Sequence, residues 1–324
     1  MINKYRRPEN FEGTTRMKQN RFAACMAAAV LLLASNTFAH GQNASGQGRA
    51  IITVLTKHNE VAPNVRQQDV SAKVNGKEAE VTGWAPFKAP NDKLELVVMI
   101  DAGARNLGRQ FEEIKSFIQN LSPDTKVAIG YMQNGHTAMA GPFSTDHNRA
   151  VSELHLPVGP TTNPYFSLSD LAQSWPSNDP DARREVVMLS DGVDPENRRF
   201  DPDDPYVQSA IKDSVHAGIV VYSLYWRSVP TGENSLVADG GQSLLNELVQ
   251  ATGGNNYWMG NDNPVSFQPF FADLMRRFDN QYALTFSARL DRKPENETLK
   301  LKIEGLGLQV TAPQQVYVHP QGAQ

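Results

Sequence analysis

Cysteine is almost absent from this sequence, with Cys25 as the single example among 324 residues. One cysteine cannot form a disulfide within the chain, and it cannot supply the several thiolates of a structural zinc site. Cys25 also lies near the start of an apolar segment, whereas a lipid-carrying cysteine would follow such a segment. We therefore expect a fold that is stabilised by an ordinary hydrophobic core, which a chain of this length can form.

A basic surplus is also absent, because the formal net charge is -4 at pH 7. A protein that neutralises nucleic-acid phosphates needs clustered lysine and arginine, so nucleic acid is not an expected partner. The sequence contains neither H-E-x-x-H nor G-x-S-x-G, and it has no phosphate-binding loop or dinucleotide fingerprint. These absences favour a binding protein over an enzyme. A hydrolase that uses paired carboxylates is the catalytic alternative.

No apolar run is long enough for a typical membrane-spanning helix, which needs ~20 residues. The run at residues 22–34 follows several basic residues and precedes Thr-Phe-Ala at 37–39, which is typical of a secretory signal peptide. We predict a signal peptide over residues 1–39 and export to the periplasm or beyond the cell, with an uncleaved anchor as the alternative. Its cleavage removes six basic and two acidic residues, so the net charge changes from -4 to -8. Met17 is an alternative start.

The rest of the chain divides by pattern into four parts. Residues 40–49 are polar and rich in glycine and serine, which predicts a flexible leader. Residues 50–92 and 281–324 carry strand patterns, and we expect them to pack together as one small β-sandwich-like subdomain. Within residues 93–280, apolar strands alternate with helical patterns. This alternation predicts an α/β fold with a doubly wound, mostly parallel sheet.

Two carboxylates directly follow buried strand patterns. Asp101 follows the apolar run at 94–100, and Asp191 follows a second one at 185–190. The carboxyl ends of parallel strands meet at the edge of the sheet where ligands bind, so we expect these two side chains to lie close together. A Gly-Pro-Thr-Thr sequence at residues 159–162 lies between them in the chain.

This order of features resembles a von Willebrand factor A (VWA) domain. The flanking sequences DVSAKVNGKEAEV (69–81) and QYALTFSA (281–288) are similar to the bacterial VWA-related family of the Acidobacteria type, and the resemblance covers about residues 50–320. It implies adhesion or protein binding through a divalent cation, usually Mg²⁺. In that family the cation is held by D-x-S-x-S, a threonine and a later aspartate. The matching positions here are Asp101, Thr162 (or Thr161) and Asp191.

The two serines of that motif are missing, because Gly103 and Arg105 stand at their positions. A guanidinium cannot act as an oxygen ligand, so Mg²⁺ binding is the alternative and a metal-free site is the main prediction. Arg105 either replaces the cation by pairing with Asp101 or Asp191, or points to solvent. We predict that a protein or peptide partner binds a crevice formed by Asp101, Gly103, Arg105, Thr161, Thr162 and Asp191.

Overall fold

Two β-sheets organise the part of the chain that can be described. In the computed structural model, the described residues are 45–56, 64–88, 92–161, 163–195, 201, 203–228, 235–260, 262–290, 295–305 and 307–320. The predicted signal peptide and Thr162 lie outside these residues, so the predictions made for them stay predictions.

The described residues form β-strands, α-helices and short 3-10 turns. The strands are β1 (Ser45–Thr56), β2 (Val70–Val74), β3 (Lys77–Pro86), β4 (Leu94–Asp101), β5 (Lys126–Gln133), β6 (His136–Met139), β7 (Arg183–Ser190), β8 (Ile219–Tyr225), β9 (Asn256–Tyr257), β10 (Gln281–Arg289), β11 (Asn296–Ile303), β12 (Leu308–Thr311) and β13 (Gln315–Pro320). The helices are α1 (Arg109–Gln119), α2 (His147–Glu153), α3 (Pro164–Gln173), α4 (Pro205–His216), α5 (Ser235–Thr252) and α6 (Gln268–Phe278).

One sheet has six strands in the order β6-β5-β4-β7-β8-β9. Its pairs β4–β5, β4–β7, β7–β8 and β8–β9 are parallel, whereas β6 pairs with β5 in an antiparallel hairpin. Every residue of β4 and of β8 is buried, as expected for strands that are covered on both faces. The predicted α/β fold with a mostly parallel sheet is therefore confirmed.

Helices cover this sheet on both faces. Side chains of α1 and α6, such as Ile114 and Leu274, pack into the core on one face. Side chains of α3, α4 and α5, such as Leu168, Ile211 and Leu248, pack into the core on the other. Among the helices that can be described, none is long and apolar enough to cross a membrane.

The helices α3 and α4 begin with the same capping pattern. The side chain of Asn163 accepts hydrogen bonds from the backbone N–H groups of Tyr165 and Phe166. Asp204 does the same for the N–H of Tyr206, and a proline follows each capping residue. Such a cap followed by proline fixes the first turn of each helix.

The remaining strands form a closed antiparallel barrel. Strands β10, β3, β2, β11, β13 and β1 pair in that order, and β1 pairs with β10 to close the ring, while β12 pairs with the far end of β1. The predicted joining of early and late strands is correct, but the predicted β-sandwich is wrong. The long β1 pairs along both of its edges, and this closure leaves the six-stranded ring without free edges.

The predicted leader overlaps this barrel, because β1 begins at Ser45. Residues 45–53 pair with β10. A Cβ atom on Gly48 would overlap the ring of Phe286, and one on Gly46 would overlap Val318. Glycine is thus needed here for close packing rather than for flexibility, which is why composition alone gave the wrong interpretation of residues 45–49.

Candidate functional site

The strand order of the parallel sheet reverses between β4 and β7, whose carboxyl ends carry Asp101 and Asp191. In doubly wound sheets this switch point is where ligands bind. Both carboxylates are buried, with exposed fractions of 2% for Asp101 and 7% for Asp191. The structure therefore places the two aspartates at the edge where the sequence predicted them.

The oxygens of Asp101 accept hydrogen bonds from donors within the protein. The backbone N–H of Gly103 donates to Oδ1 at 2.9 Å, and the hydroxyl of Ser190 donates to Oδ2 at 2.8 Å. The same Ser190 hydroxyl accepts a hydrogen bond from the N–H of Gly192 at 3.0 Å. Ser190 thus joins the ends of β4 and β7.

Asp191 is held in the same way by donors from two loops. Its Oδ1 accepts from the N–H of Val193 at 3.0 Å, and its Oδ2 accepts from the hydroxyl of Ser228. Ser228 follows β8, the next strand of the sheet. The hydroxyl donors of this site are therefore Ser190 and Ser228 rather than serines of a D-x-S-x-S motif. Sequence reasoning missed Ser228, although its place just after a buried strand was an available signal.

Gly103 and Ser228 share one small space. A Cβ atom added to Gly103 would lie 2.9 Å from the Cβ of Ser228, closer than such atoms approach in real proteins. Ser228 therefore fills the volume that a serine side chain at position 103 would need. Glycine at position 103 is therefore needed to make room for the side chain of Ser228.

Arg105 makes neither of the contacts expected from the sequence. Its Nε donates to the carbonyl oxygen of Ala102 at 3.1 Å, and one Nη donates to the carbonyl oxygen of Gly159 at 3.0 Å. The guanidinium thus binds backbone carbonyls, not the carboxylates of Asp101 or Asp191, and it does not simply point to solvent. It ties the loop around Gly159 to the turn that follows β4.

The loop that precedes α3 is linked to the loop that follows β7. The side-chain amide of Asn163 donates to Asp194 at 2.8 Å, and the buried hydroxyl of Tyr165 donates to the carbonyl oxygen of Gly192 at 2.9 Å. Thr161 lies half-buried in the first of these loops, and Thr162 lies outside the described residues. The loop at 159–161 and the two aspartates therefore belong to one edge.

The pKa values of both aspartates are raised. Burial is the main cause for Asp101, the charge of Asp191 adds to it, and the pKa of Asp101 rises to about 6. Burial also raises the pKa of Asp191, against the opposing hydrogen bond from Ser228. The site therefore disfavours two negative charges, and either a proton or a cation would relieve the repulsion.

The donor set does not fit an octahedral Mg²⁺ ion. Positions 103 and 105 carry no hydroxyl, and all four carboxylate oxygens of Asp101 and Asp191 accept internal hydrogen bonds. No group of three or more His, Cys, Asp or Glu side chains within the described residues is arranged to hold a metal.

Exposed apolar side chains surround this edge. Nine large hydrophobic residues are exposed among the described ones, and eight of them lie at the carboxyl edge of the parallel sheet. These eight are Leu156, Val158, Phe166, Tyr206, Leu236, Trp258, Met259 and Val265, and we call them the apolar rim. The ninth, Val310, lies on β12 of the barrel. The sequence did not reveal this concentration.

The topology explains where the members of the apolar rim lie. Phe166, Tyr206 and Leu236 occupy the first turns of α3, α4 and α5, and Trp258 directly follows β9. Val265 precedes α6, and its carbonyl accepts a hydrogen bond from Gln110 near the start of α1. Since the connections that follow parallel strands begin at their carboxyl ends, these residues share one edge.

Comparison with known proteins gives matches in backbone structure only. No family model matches the chain, and no curated protein does. BatB from Bacteroides thetaiotaomicron is similar at 14% identity and a TM-score of 0.42, over 57% of this chain and 96% of that one. The SpRpn10 VWA domain is similar at 11% identity and a TM-score of 0.36, over 56% of this chain and 93% of that one. The pilus adhesin SpaC from Lactobacillus rhamnosus GG is similar at 7% identity and a TM-score of 0.43, over 78% of this chain and 47% of that one.

Proposed function

We propose that this chain is an exported binding protein of VWA type, which captures a protein partner at the carboxyl edge of its parallel sheet without a metal ion and without catalysis. The observation that carries the proposal is the apolar rim. It surrounds the switch point between β4 and β7, where a doubly wound sheet binds its ligands.

The apolar rim has the composition of a protein-binding surface. Trp258, Phe166 and Tyr206 are aromatic, and their exposed fractions are 51%, 48% and 39%. The rings of Phe166 and Tyr206 also contact each other, with centroids 5.2 Å apart. Aromatic residues are enriched at the centre of protein interfaces, and clustered exposed apolar side chains on a folded domain mark interaction sites.

The buried aspartates fix two segments at the same edge of the sheet as the apolar rim. Asp101 holds the turn that contains Gly103, and Asp191 holds the segment that contains Ser228. Arg105 adds a link to the loop at Gly159, which is close in sequence to Leu156 and Val158. A partner therefore meets a surface with ordered loops, which lowers the entropic cost of binding.

Site-specific photocrosslinking in the native host tests the proposal. A photoreactive residue would replace Trp258 or Val265 at the edge, and Val310 on the barrel would serve as the matched exposed control. We expect the two edge positions to form an adduct with the same protein and the Val310 position to form none. Equal labelling from Val310, or no adduct from either edge position, would reject the proposal.

A metal-dependent adhesion site is the second candidate, and the repulsion between two buried carboxylates favours it. Thermal unfolding of the full chain with excess Mg²⁺ or with EDTA distinguishes the two candidates, because a bound cation raises the midpoint. We expect equal midpoints. A rise with Mg²⁺ in the wild type that is lost in Asp191→Asn would establish the metal-dependent function instead.

Export rests on the signal-peptide pattern at residues 1–39, and N-terminal sequencing of the protein from its native host tests it. We expect the mature chain to begin at His40. A chain that retains residues 22–34 would favour the membrane-anchor alternative.

A further inference from the structure

Histidines in this protein fall into two groups according to their contacts. His136 pairs with Asp170, His147 with the carbonyl oxygen of Thr125, and His155 with the carbonyl oxygen of Leu156. The exposed rings of the other two described histidines, His216 and His319, have no hydrogen bond to any described residue. Their nitrogen atoms are therefore available to an external ligand.

We propose that His216 and His319 bind a transition-metal ion of the Ni²⁺, Cu²⁺ or Zn²⁺ class through one imidazole each. The two rings lie close together, with centroids 6.3 Å apart and planes inclined by 42°. The site is separate from the two aspartates, because His216 is the last residue of α4 and His319 lies on β13 of the barrel.

The separation of the rings suits a single ion. A metal–nitrogen bond of about 2.1 Å places each ring centroid roughly 3.2 Å from the metal. Two such rings are then about 5.2 Å apart in tetrahedral geometry, and about 6.4 Å apart when they occupy opposite positions of a square-planar site. The observed 6.3 Å exceeds the tetrahedral value, and an ion midway between the rings at this separation would meet the ring of Tyr317, so the two imidazoles must first approach each other. Because both side chains are exposed, small rotations about their side-chain bonds can bring them to the tetrahedral separation.

Tyr317 helps to hold both imidazoles in place. Its ring meets His216 edge-on at 4.1 Å and His319 edge-on at 4.6 Å, measured between centroids. The strand that carries His319 is also paired with β1 and β11 on its two sides. Because the rings start close to their binding positions, less conformational entropy is lost when they bind an ion.

The chemistry of the pair selects the class of metal. Neutral imidazole suits nickel, copper and zinc, whereas Mg²⁺ and Ca²⁺ prefer oxygen ligands. Water molecules would complete the coordination. An ion bound here would link α4 of the α/β region to β13 of the barrel.

Calorimetric titration of the full chain with Ni²⁺ tests the proposal. His40 and His58 lie outside the described residues, so both would first be changed to glutamine. In that background we expect one site, and either His216→Gln or His319→Gln should weaken binding at least tenfold. The matched control is His136→Gln, which removes an exposed histidine that already pairs with Asp170 and should leave the affinity unchanged.

A second readout keeps the test independent of any folding defect. Excess Ni²⁺ should raise the thermal midpoint of the parent protein by several degrees, and it should leave the midpoints of the His216 and His319 variants unchanged. The double variant should bind no more weakly than either single variant, because one ion needs both rings. Unchanged affinity in either single variant, or equal loss in His136→Gln, would overturn the proposal.

Discussion

The two ends of the parallel sheet both bury carboxylates, but they stabilise them by different means. At the carboxyl end, Asp101 and Asp191 accept hydrogen bonds from hydroxyls and backbone N–H groups. At the amino end, the buried Arg183 donates to Asp92 at 2.8 Å and lies 3.8 Å from Glu185. Arg183 also donates to the carbonyl oxygen of Phe278 and to Gln281 at the start of the barrel.

The difference shows that a buried carboxylate does not by itself identify a functional site. The charged partner at the amino end serves to join the sheet to the barrel. At the carboxyl end the hydrogen-bond donors are neutral hydroxyls and backbone N–H groups, so no positively charged side chain of the described residues is bonded to the two aspartates. The partners of the carboxylates therefore distinguish a structural junction from the edge that we propose for binding.

The largest expected effect on stability comes from a substitution at the amino end of the parallel sheet. Arg183→Met leaves the buried Glu185 and the half-buried Asp92 without their positive partner, so we expect the free energy of unfolding to fall by about 3–5 kcal/mol. Urea denaturation measures this loss. The neighbouring Arg184→Met is the matched control and should cost much less, because Arg184 is only half-buried and donates to backbone carbonyls alone. A loss below about 1 kcal/mol in Arg183→Met would contradict the ionic junction.

The second largest expected effect is the dependence of the free energy of unfolding on pH. Burial raises the pKa of Glu185 from 4.5 to about 7, against the opposing charge of Arg183. Between these pH values the folded state keeps a proton that the unfolded state releases, so the free energy of unfolding falls as pH rises. The expected fall is about 3 kcal/mol, and stability becomes level above pH 7. Asp101 adds a fall of the same sign between pH 3.8 and about 6.

Denaturation at a series of pH values in Glu185→Gln tests this dependence. The part of the slope nearest pH 7 should disappear, whereas Glu113→Gln should retain it. Glu113 is the suitable control because it is also buried but accepts hydrogen bonds from Ser266 and Phe267. An unchanged slope in Glu185→Gln would assign the pH dependence to other groups.

The packing of Gly103 against Ser228 gives a smaller effect. Gly103→Ser should lower stability by about 1–3 kcal/mol, because its Cβ would lie 2.9 Å from that of Ser228. Combining it with Ser228→Gly should recover part of the loss, which a double-mutant cycle measures. Gly108→Ser should be tolerated, since a Cβ there meets only a Gln110 oxygen at 3.8 Å. Additive losses in the cycle would mean that the two residues do not share the space.

Replacing Arg105 should have the smallest effect on the free energy of unfolding. Arg105→Ala removes two hydrogen bonds to backbone carbonyls at a partly exposed position, so we expect a loss of about 1 kcal/mol. Arg149→Ala, which removes a surface pair with Glu153 at 3.6 Å, is the control and should cost less. If Arg105→Ala cost more than about 3 kcal/mol, the guanidinium would be paired with a buried carboxylate as the sequence suggested.

The sequence alone determined the α/β class, the parallel sheet and the placement of Asp101 and Asp191. These features follow from local patterns, because a strand buried on both faces must be apolar along its length, and its final carboxylate must then lie at the edge. The sequence also has Gly103 and Arg105 where the family that it resembles has serines, so it predicted an incomplete site for a metal ion.

Only the tertiary structure decided how distant segments meet. Closure of the barrel joins β1 to β10, which begins more than two hundred residues later, and composition cannot reveal such a pairing. Ser228, the carbonyl partners of Arg105 and the apposition of His216 with His319 likewise depend on loops and strands from separate parts of the chain. Periodicity predicts which face of an element is buried. It does not predict which side chains from different elements come into contact.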